Sequence, residues 1–172
     1  MTEDAGRGRT LGPAQAIAYG AAIVGILDFL YPTLRTLARG GPWFLPWQGV
    51  ASALLGGDAF TGGASVIALG IVCHFIVATC VVAAYVSASR WIPALTRHAV
   101  PLGMAYGLWV FFVMNWVVIP LTRIGRVPTF TTGALVGGVL MHVFLIGPPA
   151  ALVARRVAWP RSGAGHGAAR SQ

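Results

Sequence analysis

The sequence predicts an all-α integral membrane protein, an up-and-down four-helix bundle with an extra short interfacial helix between helices 1 and 2. Three observations carry this. Of 172 residues, 56% are hydrophobic and only 9% charged, where a water-soluble protein carries about 25% charged residues. The mean hydropathy is +0.75, and the shortage of charge extends over most of the chain, which indicates one membrane domain with short polar ends. Four apolar segments, 14–34, 64–87, 101–121 and 132–153, are each long enough for a hydrocarbon core that needs roughly 20 helical residues.

The first segment follows Arg7 and Arg9, the flank of a signal peptide. It is longer than a usual apolar h-region, contains Asp28, and has no convincing small-x-small cleavage site after it, so a retained crossing is expected. Residues 1–13 read as a cytoplasmic N-terminal segment. Between the first two crossings lies 40–63, GGPWFLPWQGVASALLGGDAFTGG, where Pro42, Pro46 and the pairs Gly56-Gly57 and Gly62-Gly63 leave room for a short helix over about 47–55. Trp43 and Trp47 place this piece at the membrane interface, where amphipathic rings are favoured. No Gly-Lys-Ser/Thr follows these glycines, so they are no phosphate loop. Asp58 and Thr61 read as turn and capping residues.

The two remaining loops, SRWIPALTRHAV and TRIGRVPTFTTG, are short and basic, and short connections make sequential helices antiparallel neighbours. Thr132 is the expected N-cap of the fourth helix. Residues 155–172, rich in Gly, Ala, Arg and Ser, read as a basic disordered tail able to attract anionic lipid.

The net charge of +8 comes from 12 arginines and no lysine. The arginines are scattered over helix ends and tails, a pattern of membrane anchoring rather than nucleic-acid binding. With the N-terminus cytoplasmic, Arg7, Arg9, Arg90, Arg97, Arg155, Arg156, Arg161 and Arg170 fall inside, while Arg35, Arg39, Arg123 and Arg126 fall outside. Eight against four favours both termini on the cytoplasmic side. The absence of lysine excludes Schiff-base chemistry. Cys73 and Cys80 are about 10 Å apart along one helix, too far for a disulfide, and read as small buried apolar residues.

Each crossing carries one polar residue in its interior: Asp28, His74, Asn115 and His142. At 1.5 Å per residue, His74 and His142 fall within about 2 Å of the middle and Asp28 and Asn115 about 6 Å to the outer side, so all four share one layer. Gly70 and Ala78 flank His74 on its face, with Tyr85 further along it, and Gly138 precedes His142 by one turn. Small neighbours mark close helix contact. Asp28 has Arg35 and Arg123 as possible counterions.

Three readings of the layer compete. The leading one is structural, with the four groups hydrogen-bonding one another across helices. The second is a cofactor or metal: His74 and His142 as axial ligands of a haem iron, with Gly103, Gly107, Gly137 and Gly138 making room for the macrocycle. Alternatively, His74, His142 and Asp28 hold a transition metal, with Cys73, Met114 or Met141 as softer ligands. The third is a small-solute transporter or proton relay through Asp28 and the histidines. A kink at Pro120 would accompany it, and four short helices would need a homo-oligomer to form a pathway. No Ser-His-Asp set, paired acids or metal-binding spacing occurs, and the one glutamate is Glu3, so no catalytic residue is expected. His98 and His166 receive no role.

The runs VASALLGGDAFTGG over 50–63, LGIVCHFIVATCVVAAYVSASRWIPAL over 69–95, YGLWVFFVMNWVVIPLT over 106–122 and MHVFLIGPPAAL over 141–152 resemble a group of uncharacterised small bacterial inner-membrane proteins, more distantly the YagU-like proteins. The matching positions include His74, Tyr85, Pro93, Asn115, Pro120, Leu121 and His142. Gly147-Pro148-Pro149 stands where relatives commonly read Gly-Leu-Pro. The resemblance covers residues 14 to 156 and implies a four-helix inner-membrane protein with no established reaction.

Overall fold

The computed structural model describes residues 10–159, and all of its regular structure is helical apart from one isolated bridge. Arg7 and Arg9, expected in the cytoplasm, and most of the expected basic tail, with Arg161, His166 and Arg170, lie outside the described residues.

Helix α1, Pro13–Leu37, starts from Gly12 with Pro13 at its first position, where a missing N–H costs nothing and the fixed φ suits a helix. It runs through Pro32. That ring removes the N–H which would bond the carbonyl of Asp28 one turn earlier, loosening the backbone there. After a glycine turn at Gly40, with φ of 75°, comes α2, Leu45–Leu55, which continues into a 3-10 turn at Gly56–Thr61. Helix α3, Ala64–Trp91, contains no proline and is regular over 28 residues. It ends at Ile92, which is held extended by the following Pro93. A short turn α4, Ala94–Arg97, leads into α5, Ala99–Leu121, and a loop leads to α6, Thr132–Ala154.

Among the described residues, four helices, α1, α3, α5 and α6, are long and apolar enough to cross a membrane. Helix α1 packs on α3, α5 packs on α6, and α6 joins the two pairs by touching both α1 and α3. The core contains Val24, Ala78, Val82, Tyr85, Ile146 and Ala150. Between α3 and α5 the backbones stay apart, leaving an apolar groove of about 290 Å³ that Val77, Val81, Tyr106, Trp109 and Val113 line. The Tyr106 hydroxyl crosses it and donates to the Val81 carbonyl at 2.7 Å. Ile26, Ile76, Trp109, Phe112 and Phe144 are exposed, so each long helix keeps an apolar outer face.

The two ends of the described chain meet. The Leu11 N–H donates to the Arg156 carbonyl at 2.8 Å, and the Ala158 N–H donates to Leu11 at 3.0 Å. The Arg90 guanidinium lies over the rings of Trp91 and Trp159. Residues 155–159, expected to be the start of a disordered tail, are therefore tied to the bundle.

Two further expectations change. The N-cap of α6 is Thr131, not Thr132: its hydroxyl accepts from the Ala134 N–H at 3.3 Å, two residues into the helix where a cap oxygen reaches an unpaired donor. Thr131→Ala is expected to cost about 1 kcal/mol in chemical unfolding of the detergent-solubilised protein, and Thr132→Ala much less. Equal losses at the two positions would argue against Thr131 as the cap. The second correction concerns α2. It begins at Leu45 rather than 47, and Trp47, expected at an interface, is 1% exposed. Its ring stacks flat on Phe29 at 4.2 Å, and its backbone carbonyl abuts Gly70, where any Cβ would collide with it. Gly70 is six residues into α3, about 9 Å from that helix's start, so the beginning of α2 lies below the helix ends. Trp43, by contrast, is 46% exposed.

Candidate functional site

His74 sits in the middle of α3 with Gly70 and Ala78 on its buried face, as the small-residue pattern predicts. Those small residues bring α2 and α1 close. Ala78 and the Phe75 ring abut Gly25 of α1, and the His74 ring lies edge-on to Trp47 at 5.1 Å and to Phe75 at 5.2 Å. The imidazole is thus walled by aromatic rings from α1, α2 and α3.

Both ring nitrogens face α1. Nε2 lies 2.9 Å from the Gly25 carbonyl, and because a carbonyl only accepts, Nε2 carries a proton and donates it. Nδ1 lies 3.7 Å from Oδ2 of Asp28, within ion-pair range but longer than a hydrogen bond. With Nε2 committed, Nδ1 is the ring atom at which a proton can be gained or lost, and it faces a carboxyl group. His74 is 8% exposed and the Asp28 side chain keeps 25%. Among the described residues, His74 is the one ion-pair partner of Asp28. The expected counterions, Arg35 and Arg123, do not reach it. Arg35 has one buried guanidinium nitrogen with no partner, and the Arg123 backbone N–H is used on the Ala53 carbonyl at the end of α2.

His142 bonds locally, its Nδ1 at 2.9 Å from the Gly138 carbonyl one turn back. Asn115 does the same, donating from Nδ2 to the Phe111 carbonyl at 2.8 Å. Among the described residues, no hydrogen bond links two of the four groups, and the one approach across helices is the 3.7 Å pair of Asp28 and His74. The backbone is irregular at the other two. Asn115 lies in a π segment, Met114–Val118, and His142 opens another, His142–Ile146. Each widened turn precedes a proline, Pro120 in α5 and Pro148 in α6, whose missing N–H disturbs the regular ladder. The single kink expected at Pro120 is a π-bulge, a feature frequent at functional sites.

Tyr85 does not join this layer. Its hydroxyl donates to the Leu95 carbonyl at 3.0 Å, eleven residues from His74 and about 16 Å along α3, where it anchors the α3–α5 turn.

The residues do not fit the haem arrangement. His74 Nε2, the nitrogen an axial ligand would offer, is spent on Gly25. The glycines expected to make room are filled by other helices. A Cβ on Gly107 would run into the His142 carbonyl, one on Gly103 would lie 2.9 Å from Ala151 Cβ, and one on Gly137 would strike the Tyr31 hydroxyl. Gly138 is packed against the Phe111 ring. Nor do His74, His142 and Asp28 form a metal-holding group; among the described residues no three His, Cys, Asp or Glu side chains do. Cys73 and Cys80 are free thiols, Cys80 exposed rather than buried.

Phe29, Gly25 and Trp47 belong to the site and went unnoticed as site residues. Gly25, three residues before Asp28, carries the same small-residue signal that marked His74. For Trp47 and Phe29 the stacking depends on the path of α2, which local pattern does not encode. Compared with known proteins, the chain matches no family model, no curated protein and no solved structure.

Proposed function

We propose that the chain is an inner-membrane protein with four crossings and cytoplasmic termini, in which Asp28 and His74 take up and pass on a proton. It acts as a relay or as a proton-coupled carrier of a small polar solute. One observation carries this reading: a carboxyl and an imidazole nitrogen face each other at 3.7 Å among aromatic rings, with the other ring nitrogen already committed. Ionisable groups inside an apolar helix bundle are costly and typically mark ion or proton pathways. His142, on the proline-interrupted α6, is the proposed next station. The orientation rests on eight arginines at the end that holds the termini against four at the other. The likeness to small four-helix inner-membrane proteins belongs to the same proposal, as does a lipid-embedded dimer or larger assembly.

Reconstituted proteoliposomes under an imposed pH gradient test it. Proton flux above that of empty vesicles is expected, falling at least tenfold in Asp28→Asn and in His74→Gln. Flux indistinguishable from empty vesicles, with and without a panel of polar solutes, would overturn it. The second reading, a purely structural clamp, is favoured by the His74 to Gly25 bond that ties α3 to α1. It predicts the same loss of stability in the variants with no flux to lose.

A further inference from the structure

We infer that α2 is a movable plug over the Asp28 and His74 pair, and that Trp47 is its gate. The inference rests on the proton-handling reading, since such a pair must meet water intermittently.

Trp47 covers the pair from the α2 side. Its indole lies flat on Phe29 at 4.2 Å and edge-on to His74 at 5.1 Å, and the residue is 1% exposed. Yet its Nε1 donor is buried with no hydrogen-bond partner. An unpaired buried donor destabilises the closed arrangement relative to one in which an acceptor reaches it, so the difference between closed and open is reduced at this residue.

Two glycine turns flank α2. Gly40 before it and Gly56 after it both have positive φ, 75° and 70°, conformations that glycine adopts without strain. Gln48 donates to the Gly62 carbonyl at 2.8 Å, and Ser52 to Gly49 at 2.6 Å, so these two buried side chains need no partner on α1 or α3, while the Arg123 N–H on the Ala53 carbonyl holds the far end of α2 and leaves the Trp47 end as the part that moves. The Trp47 carbonyl rests directly against Gly70, so α2 meets α3 there through close backbone contact rather than through interlocking side chains. Displacing α2 would uncover His74 while its bond to Gly25 stayed intact.

Acylation of histidine by diethyl pyrocarbonate, followed by mass spectrometry of the full chain in proteoliposomes, tests this, with the exposed His98 as internal standard. Trp47→Ala is expected to raise the rate at His74 relative to His98 at least tenfold. Trp47→Phe, which keeps the aromatic cover, is expected to stay within threefold of the native protein, and Trp43→Ala should leave the rate unchanged. An unchanged His74 rate in a folded Trp47→Ala protein would overturn the gate. Should that variant not fold, hydrogen exchange on the native protein decides. Amides of α2 are expected to exchange at least tenfold faster than those of α3 from Gly70 to Tyr85, and equal protection would overturn the plug. Absence of proton flux would remove the proton reading but leave both measurements interpretable, so the two proposals fail separately.

Discussion

Valine in place of Gly107 is expected to destabilise the detergent-solubilised protein by about 3 kcal/mol, seen as a lowered midpoint when helix content is followed through denaturation. At this position α5 lies directly on the π segment of α6. A Cβ would meet the His142 carbonyl, coming 2.8 Å from its carbon and 3.2 Å from the Gly147 nitrogen. Those are backbone atoms and cannot rotate aside as a side-chain tip would. The contact is reciprocal, because a Cβ on Gly147 would strike the Gly103 carbonyl. The two helices can separate only by giving up the burial of Ala150, Ala151 and Ile146. Gly133 supplies the comparison: it is exposed and has no atom within 4 Å of its would-be Cβ. Valine there should change stability by about 0.5 kcal/mol or less. Equal stability of the two variants would mean that the α5–α6 approach is looser than described.

His74→Leu is expected to cost about 2 kcal/mol, and much of that should return when Asp28→Asn is added. Removing one member of an enclosed ion pair strands the other, at roughly 3–5 kcal/mol when both are fully buried. The Asp28 side chain retains 25% exposure, which places the expectation below that range. Leucine also leaves the Gly25 carbonyl without the Nε2 donor. That second loss is untouched by changing Asp28, so recovery in the double variant should be partial. A double-mutant cycle with no coupling would show that the 3.7 Å approach carries no energy.

The helices were legible because being long and apolar enough to cross a hydrocarbon layer is a property of contiguous sequence. The four apolar stretches begin within two residues of the helices seen, and 64 and 132 are their actual first residues. The shared depth of Asp28 and His74 was also legible, since depth follows from counting residues. Which groups touch was not. Asn115 and His142 turn to carbonyls one turn back in their own helices, as Thr33 and Thr79 also do, and each lies at a π segment next to Pro120 or Pro148. A proline shows where a regular ladder fails, but not which register replaces it. Trp47 misled for a different reason. An amphipathic ring is favoured at an interface and can equally be enclosed when a flat partner such as Phe29 is offered.

The pairing of Leu11 with Arg156 and Ala158 bears on assembly during synthesis. The start of α1 is closed by backbone bonds from residues that follow α6, so α1 and α3 are complete before α6 can seat against both. A chain cut after Ala154 would retain the four long helices yet lose this clasp, leaving the start of α1 to fray.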